Sequence, residues 1–274
     1  MKIKVLGTGA SEGIPSLFCN CELCQKVRKI KGKDVRSRTS ILIDENYLID
    51  FNSDNYMHWA ENDIDFTKLK DIFITHNHED HFLYTELRML SEWFSCSFRN
   101  ERVTLHGNHD VMLKVLERPL YRYNKLYLHE ICPYDIINLD DGHIFTTIKA
   151  EHRENVTNDL NYIVEFGGKA FIYLCDTGVY EDEQTWDFLK NRKFDAVISE
   201  CTFGDFERIS KGHQHFKDVC RFKEKFLSLG CIKENTPYYL THFSHNIGLL
   251  HNEMCEKMEP LGFTICYDGM DIIV

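Results

Sequence analysis

The sequence predicts a layered α/β sandwich: two mostly antiparallel or mixed sheets packed face to face, with helices on their outer sides. Three observations point there. Short strand-like apolar runs recur along the whole chain, helical periodicity separates many of them, and several neighbouring runs are joined too tightly for a crossover. In order, the strand-like runs cover residues 2–6, 40–43, 47–49, 71–74, 103–105, 146–150, 162–166, 170–174, 196–198, 238–240 and 264–267. Runs 41–49 and 162–174, the latter turning at Gly167-Gly168, read as hairpins. Apolar residues at helical spacing occupy 83–94, 110–116, 181–189, 216–229 and 248–258.

With 274 residues, 43% of them hydrophobic and 27% charged, the chain can bury a core without covalent staples. Its 5 prolines and 15 glycines exclude collagenous and low-complexity classes. No repeat and no Gly/Ser-rich linker divides it, so one domain over 1–274 is expected. A net charge of -11 has the wrong sign for wrapping a long polyphosphate, which disfavours extended nucleic acid as a partner. No apolar stretch is long enough to span a membrane, and the N-terminal residues lack the apolar segment of a secretory signal, so a cytoplasmic address is expected. Nothing in the pattern fixes the oligomeric state, and a homodimer is compatible with it.

The eleven cysteines fall into two groups. Eight are scattered singly from Cys96 to Cys266 and read as reduced, mostly buried thiols. Cys19, Cys21 and Cys24 are packed within six residues. Near them, Gly7, Gly9 and Gly13 follow a strand, but no helix follows to complete a dinucleotide site, so a flexible turn is the better reading.

The strongest chemical signal is Thr75-His76-Asn77-His78-Glu79-Asp80-His81, placed directly after an apolar strand. His76 and His78 can grip one ion, while Asp80 and His81 can reach a second. Imidazole and carboxylate donors suit zinc, iron, manganese or cobalt.

This HxHxDH run resembles the metal-binding signature of the metallo-β-lactamase superfamily. The resemblance implies a four-layer αββα sandwich with a dinuclear site at one edge of its sheets. Later residues match in order: His152 in Glu151-His152-Arg153, Asp176 in Cys175-Asp176-Thr177-Gly178, and His242 in Leu240-Thr241-His242. It implies one metal on His76, His78, His152 and Asp176, and a second on Asp80, His81, Asp176 and His242. Asp50 matches an aspartate that orients ligands from behind. Two divalent ions, zinc or manganese with iron as a further candidate, would then share a bridging water and lower its pKa. The β-lactamases themselves typically place a cysteine at the second metal. Cys201 lacks the matching context here, so Cys201 and Cys175 are read as buried structural thiols.

Three thiolates and an imidazole close a tetrahedral structural zinc site. Cys19, Cys21, Cys24 and His245, three residues after His242, are the candidates. Within the superfamily this combination resembles the phosphoribosyl cyclic phosphodiesterase subgroup of the carbon-phosphorus lyase pathway. There an N-terminal cysteine cluster, here a zinc-binding loop at 19–24, pairs with such a histidine. The same resemblance assigns His213, in Lys211-Gly212-His213-Gln214-His215, to protonate the leaving group, with His215 as the alternative. His58, His106, His109, His129, His143 and His251 lack ligand spacing and are read as structural or surface residues.

The segment 82–134 carries Trp93, Phe94, Phe98, Arg99 and the run 118–123, Arg-Pro-Leu-Tyr-Arg-Tyr. It could line a ribose phosphate cleft, but helix packing is the plainer reading. Arg36 and Arg38 are equally ambiguous. The expected activity is hydrolysis of a small, cyclic ribose-type phosphodiester by attack of a metal-bridging hydroxide, with His213 and Asp80 as catalytic groups. The alternatives are an RNA-processing nuclease, a lactonase, a thioesterase or a non-catalytic metal-binding accessory protein.

Overall fold

In the computed structural model, residues 1–91, 94–96, 102–117, 125–154, 156, 158–181, 183–206 and 210–274 are described. The chain first lays down β1 (Lys2–Gly7), β2 (Ser40–Ile43), β3 (Tyr47–Ile49), β4 (Asp71–Phe73), β5 (Val103–Gly107) and β6 (Leu126–Glu130). It continues with β7 (Ile136–Asn138), β8 (Ile144–Lys149), β9 (Leu160–Phe166), β10 (Lys169–Leu174), β11 (Ala196–Glu200), β12 (Tyr238–Thr241) and β13 (Thr264–Ile265). The last strand, β14 (Asp271–Ile273), returns to pair with β1. One sheet runs β14-β1-β2-β3-β4-β5-β6 and the other β13-β12-β11-β10-β9-β8-β7. Each is antiparallel at one end and parallel at the other, because hairpins such as β2-β3 and β9-β10 give way to strands joined by helices or long loops.

Alternation along the strands supplies three buried layers. On β10, Phe171 and Tyr173 face the other sheet, whose Phe73 stacks on Phe145 at 3.9 Å. Ile172 and Leu174 point outward, onto Trp186 of α4 (Glu183–Leu189) and Phe222 and Phe226 of α5 (Phe216–Ser228). On the far side, Leu42, Leu48 and Ile72 pack under Val111, Met112 and Val115 of α3 (His109–Leu116). Helices α1 (Glu22–Ile30) and α6 (His251–Met258) join the second sheet's outer layer through Leu23, Val27, Met254 and Met258, and α2 (Asn55–Asn62) follows β3. The architecture is therefore a four-layer αββα sandwich. No helix among the described residues is long and apolar enough to cross a membrane.

Some elements depart from the sequence pattern. The helix expected over 83–94 is a seven-residue 3-10 segment, Tyr84–Leu90, that buries only Leu87, too narrow a stripe to hold a longer helix against the core. Strands β6, β7 and β14 and helices α1 and α2 lie beyond the elements read from the sequence, although α1 does bury a stripe at helical spacing, Leu23, Cys24 and Val27. β7 and β14 each bury one residue of three, and the residues of β6 are half-buried or exposed. All eleven cysteines are free, but burial is less general than expected: Cys96 and Cys132 are exposed. Trp93, Phe98, Arg99 and the 118–123 run lie outside the described residues.

What matters for chemistry is direction. β1, β3 and β4 of one sheet, and β8, β10, β11 and β12 of the other, all end at the same edge of the sandwich, and the turns after them converge there.

Candidate metal-binding active site

Each candidate side chain sits just past one of those strand ends: Asp50 after β3, residues 75–81 after β4, His152 after β8, Asp176 after β10 and His242 after β12. Asp50, Asp176 and His242 hold positive φ angles of 67°, 46° and 58°, a backbone that favours glycine and that concentrates at sites where geometry is imposed by function. The turns bring seven donor groups together. His76 Nε2 lies 2.9 Å from His78 Nδ1 and 3.3 Å from Asp176 Oδ2, and His152 Nε2 lies 3.3 Å from His78 Nδ1 and 3.5 Å from Asp176 Oδ2. On the other side of Asp176, His81 Nε2 is 3.2 Å from Oδ2, His242 Nε2 is 2.8 Å from Oδ1, and Asp80 Oδ2 is 3.3 Å from His81 Nε2.

This arrangement fits metal ions and fits poorly without them. Although His242 Nε2 and Asp176 Oδ1 lie only 2.8 Å apart, these two atoms and His81 Nε2 are buried without a hydrogen bond of good geometry, a costly state for polar atoms in a folded core. A tetrahedral ion with bonds of about 2.0–2.1 Å sets its nitrogen and oxygen donors about 3.4 Å apart, close to the separations here. His76, His78, His152 and Asp176 form one compact set. A second compact set is His81, Asp176 and His242 with the Sγ of Cys175, a residue that sequence reasoning left as a structural thiol.

The outward nitrogens are pinned, which turns the inward ones to the centre. His81 Nδ1 donates to Asp50 Oδ2 at 2.6 Å, while Asp50 Oδ1 accepts from the Thr75 amide and hydroxyl. His76 Nδ1 meets the Thr75 hydroxyl at 3.0 Å, His152 Nδ1 donates to the Gly212 carbonyl at 3.2 Å, and His242 Nδ1 meets the Thr202 hydroxyl at 2.8 Å. Two glycines permit the close approach of these loops. A Cβ on Gly212 would stand 2.1 Å from the His152 carbonyl oxygen, and one on Gly178 would stand 1.6 Å from that of Lys211.

The charges are strongly coupled. Burial works to raise Asp176, but the imidazoles of His242, His81 and His152 outweigh it and hold the carboxyl well below its usual range. Burial also opposes charge on His81, yet the carboxylates of Asp176, Asp80 and Asp50 around it raise it well above normal. His76 is pushed well below normal by burial and then by its neighbour His81. Asp80 falls to about 2 because His81 outweighs the effect of burial.

His213 stands beside this centre. Its Nδ1 is 3.2 Å from Glu200 Oε1 and 3.7 Å from Asp176 Oδ1, and its ring meets the edge of Phe203 at 5.5 Å. Burial would lower its pKa, but Glu200 and Asp176 prevail and raise it to about 9. His215 turns away: its Nδ1 pairs with Asp218 in the first turn of α5 at 3.0 Å. Glu200 is the residue that sequence reasoning missed. Fully buried at the end of β11, it accepts from the backbone amides of Thr177, Thr202 and Gln214 and from the Thr202 hydroxyl, so it ties three loops together. The signal available was its place at a strand end, in Ser199-Glu200-Cys201.

The centre opens into a pocket of about 460 Å³ whose walls include Ser11, Glu12, Phe203, His213 and Asn246. Arg36 is buried on Thr8, the Cys266 carbonyl and His251, and Arg38 is held by Ser11 and Asp54, so neither enters the pocket. The remaining histidines lie elsewhere. His106 bridges Asp71 and His129, His143 bridges Asp44 and Asp141, His109 faces Glu130, and His58 meets Ser37.

Beside the pocket, Cys19, Cys21, Cys24 and His245 form a separate compact set. Cys21 and Cys24 Sγ lie 3.5 and 3.7 Å from His245 Nδ1, close to the roughly 3.6 Å that a tetrahedral zinc site needs between sulfur and nitrogen. Burial works to raise Cys21, but the Cys24 amide and His245 bring the thiol down to about 6.

A family model described as a beta-lactamase superfamily domain matches residues 45–242. No curated protein matches the chain by sequence. Among solved structures, the chain is similar to a diphosphatase from the PhnP family, with a TM-score of 0.75 and 23% identity over 100% of this chain and 97% of that one. It is similar as well to zinc-bound PqqB from Methylobacterium extorquens, with a TM-score of 0.76 and 15% identity over the whole of both chains. The short form of human tRNase Z gives 0.67 and 19% over 100% of this chain and 99% of that one. At these identities the structures share the fold.

Proposed function

Since the chain belongs to the metallo-β-lactamase superfamily, we propose that it is a metal-dependent hydrolase acting on a small phosphodiester. The observation that carries the reading is the convergence of three buried donor atoms that make no well-directed hydrogen bond, on His81, Asp176 and His242, at the floor of an open pocket that holds a neighbouring imidazole. His76, His78, His152 and Asp176 would hold one ion and Asp80, His81, Asp176 and His242 the other, with zinc, manganese or iron as candidates. Such a pair supplies a water of lowered pKa and compensates charge on phosphoryl oxygens.

The chain's own groups do the rest. Asp50 and Thr202 fix the tautomers of His81 and His242 through the Nδ1 atoms, so that both present Nε2 to the centre. His213, held at Nδ1 by Glu200, keeps Nε2 for the oxygen that leaves and gives it a proton. A pocket of about 460 Å³ suits a small sugar phosphate, and the solved diphosphatase and tRNase Z of this fold favour phosphorus over lactone or thioester substrates. The net charge of -11 speaks for the small diester over RNA.

The test is turnover of bis(p-nitrophenyl) phosphate, a cyclic ribose phosphate, a transfer-RNA precursor, a lactone and a thioester by protein depleted and reloaded with each metal. The diester and the cyclic phosphate should be hydrolysed fastest, with about three ions per chain by elemental analysis: two in the pocket and one in the cysteine site. Absence of diester turnover with every divalent metal would remove the proposal.

A further inference from the structure

In a regular strand adjacent side chains point to opposite faces. At the end of β10 this alternation breaks, because Asp176 takes a left-handed backbone with φ 46°. Cys175 and Asp176 consequently reach the same point. The Sγ of Cys175 and one donor atom each of His81, Asp176 and His242 all lie within 4.8 Å of one another, and none of the four residues is more than 3% exposed. Cys175 belongs to the apolar core between the sheets, with Phe171, Tyr173 and Ile198, and its Sγ lies where that core meets two imidazoles and a carboxylate. His81 Nε2, Asp176 Oδ1 and His242 Nε2 of that set make no hydrogen bond of good geometry. Asp80, expected to hold the second ion, stands beside that set with Oδ2 3.3 Å from His81 Nε2, and lines the pocket together with Asp176 and His242.

We infer that Cys175 is a sulfur donor to the second ion from the floor of the site, so that this position takes a thiophilic divalent cation, zinc in preference to manganese. The inference rests on the metal-centre reading above. Binding forms a metal–sulfur bond and releases the thiol proton to solvent, with no change of oxidation state. Asp80, with Oδ2 3.3 Å from His81 Nε2, remains the pocket-side donor to the same ion, opposite the sulfur.

Cadmium NMR of the intact, fully loaded protein tests this directly, because cadmium bound to sulfur resonates far downfield of cadmium bound only to nitrogen and oxygen. Three bound ions with two downfield lines are expected, one from the Cys19, Cys21, Cys24 and His245 site and one from the second pocket ion. In Cys175→Ser one downfield line should move to the nitrogen–oxygen range, and in Cys21→Ser the other should change. A wild-type spectrum with only one downfield line among three bound ions overturns the role of Cys175 without need of any variant. So does a Cys175→Ser spectrum in which both lines stay put. Fewer than two ions in the pocket overturns the metal centre itself, which is a separate outcome from either of these.

Discussion

His213 is the residue on which the chemistry can be divided most cleanly. A protonated imidazole helps only when the departing oxygen needs a proton, so its effect depends on the leaving group. His213→Ala should lower kcat about 10²- to 10⁴-fold for a diester that expels a sugar alkoxide, and far less for bis(p-nitrophenyl) phosphate, whose p-nitrophenolate leaves unprotonated. Steady-state kinetics on the two substrates checks this, with equal losses pointing to a merely structural histidine. His58 bears on stability instead. It is buried on α2 with Nε2 2.9 Å from the Ser37 hydroxyl and Nδ1 unpartnered, and burial, only partly offset by Asp54, lowers its pKa to about 4. Between pH 6.5 and about 4 the unfolded chain takes up a proton that folded His58 refuses. Stability therefore falls as pH drops through that window, by about 3 kcal/mol for a shift of this size. His58→Gln, which cannot titrate, should show a correspondingly shallower loss in urea unfolding of chelator-treated protein. At this scale the sequence was legible where donors cluster: the HxHxDH run and the later histidines and aspartate stand in one place. Glu200 was not, because a single carboxylate at a strand end carries no pattern, and its role appears only when three loops close on it.

Elements were legible in proportion to how much of them is buried. β9, β10, β11 and β12 show themselves as apolar runs because nearly every side chain in them is covered, on both faces, by a helix layer and a facing sheet. β6, at the edge of its sheet, has no fully buried residue and no readable period. Pattern also says little about how close two loops come. The segment carrying His213 lies over the one carrying His152 only because Gly212 has no side chain: a Cβ there would meet the His152 carbonyl oxygen at 2.1 Å, and backbone cannot yield as a flexible side chain can. That carbonyl belongs to the residue whose Nδ1 donates to the Gly212 oxygen, so the push and the lost hydrogen bond fall on one candidate ligand. Gly212→Ala should therefore cost tenfold or more in diester turnover, in line with the loss of a group that orients a metal ligand, and should lower metal occupancy of the pocket. Elemental analysis beside the assay separates this from a change confined to His213, which would leave the ions in place.

Over the whole molecule, two segments far apart in sequence, 8–12 and 242–246, meet at the pocket. The segment leaving β12 carries His242 into the centre and, three residues on, His245 into the cysteine set, while the stretch after β1 runs alongside it. Ala10 donates to the Phe243 carbonyl, Phe243 to that of Thr8, and the Ser244 hydroxyl to Glu12 at 2.6 Å. An ion on Cys19, Cys21, Cys24 and His245 would close a loop of more than 220 residues, since Cys24 and His245 are 221 apart in sequence. By the loop-entropy argument used for disulfides, a closure of that length is worth about 5 kcal/mol as an upper bound. The same ion would hold the backbone that presents His242 Nε2 to Asp176 at 2.8 Å. Two losses should then travel together in Cys21→Ser: a fall in unfolding free energy approaching that bound, and a fall in pocket metal affinity although no pocket residue has changed. Urea unfolding and metal titration of the same preparation check the pair. Lower stability with unchanged pocket affinity would mean that the cysteine set braces the fold alone, whereas loss of both would make it a support of the chemistry, acting through the few residues between His242 and His245.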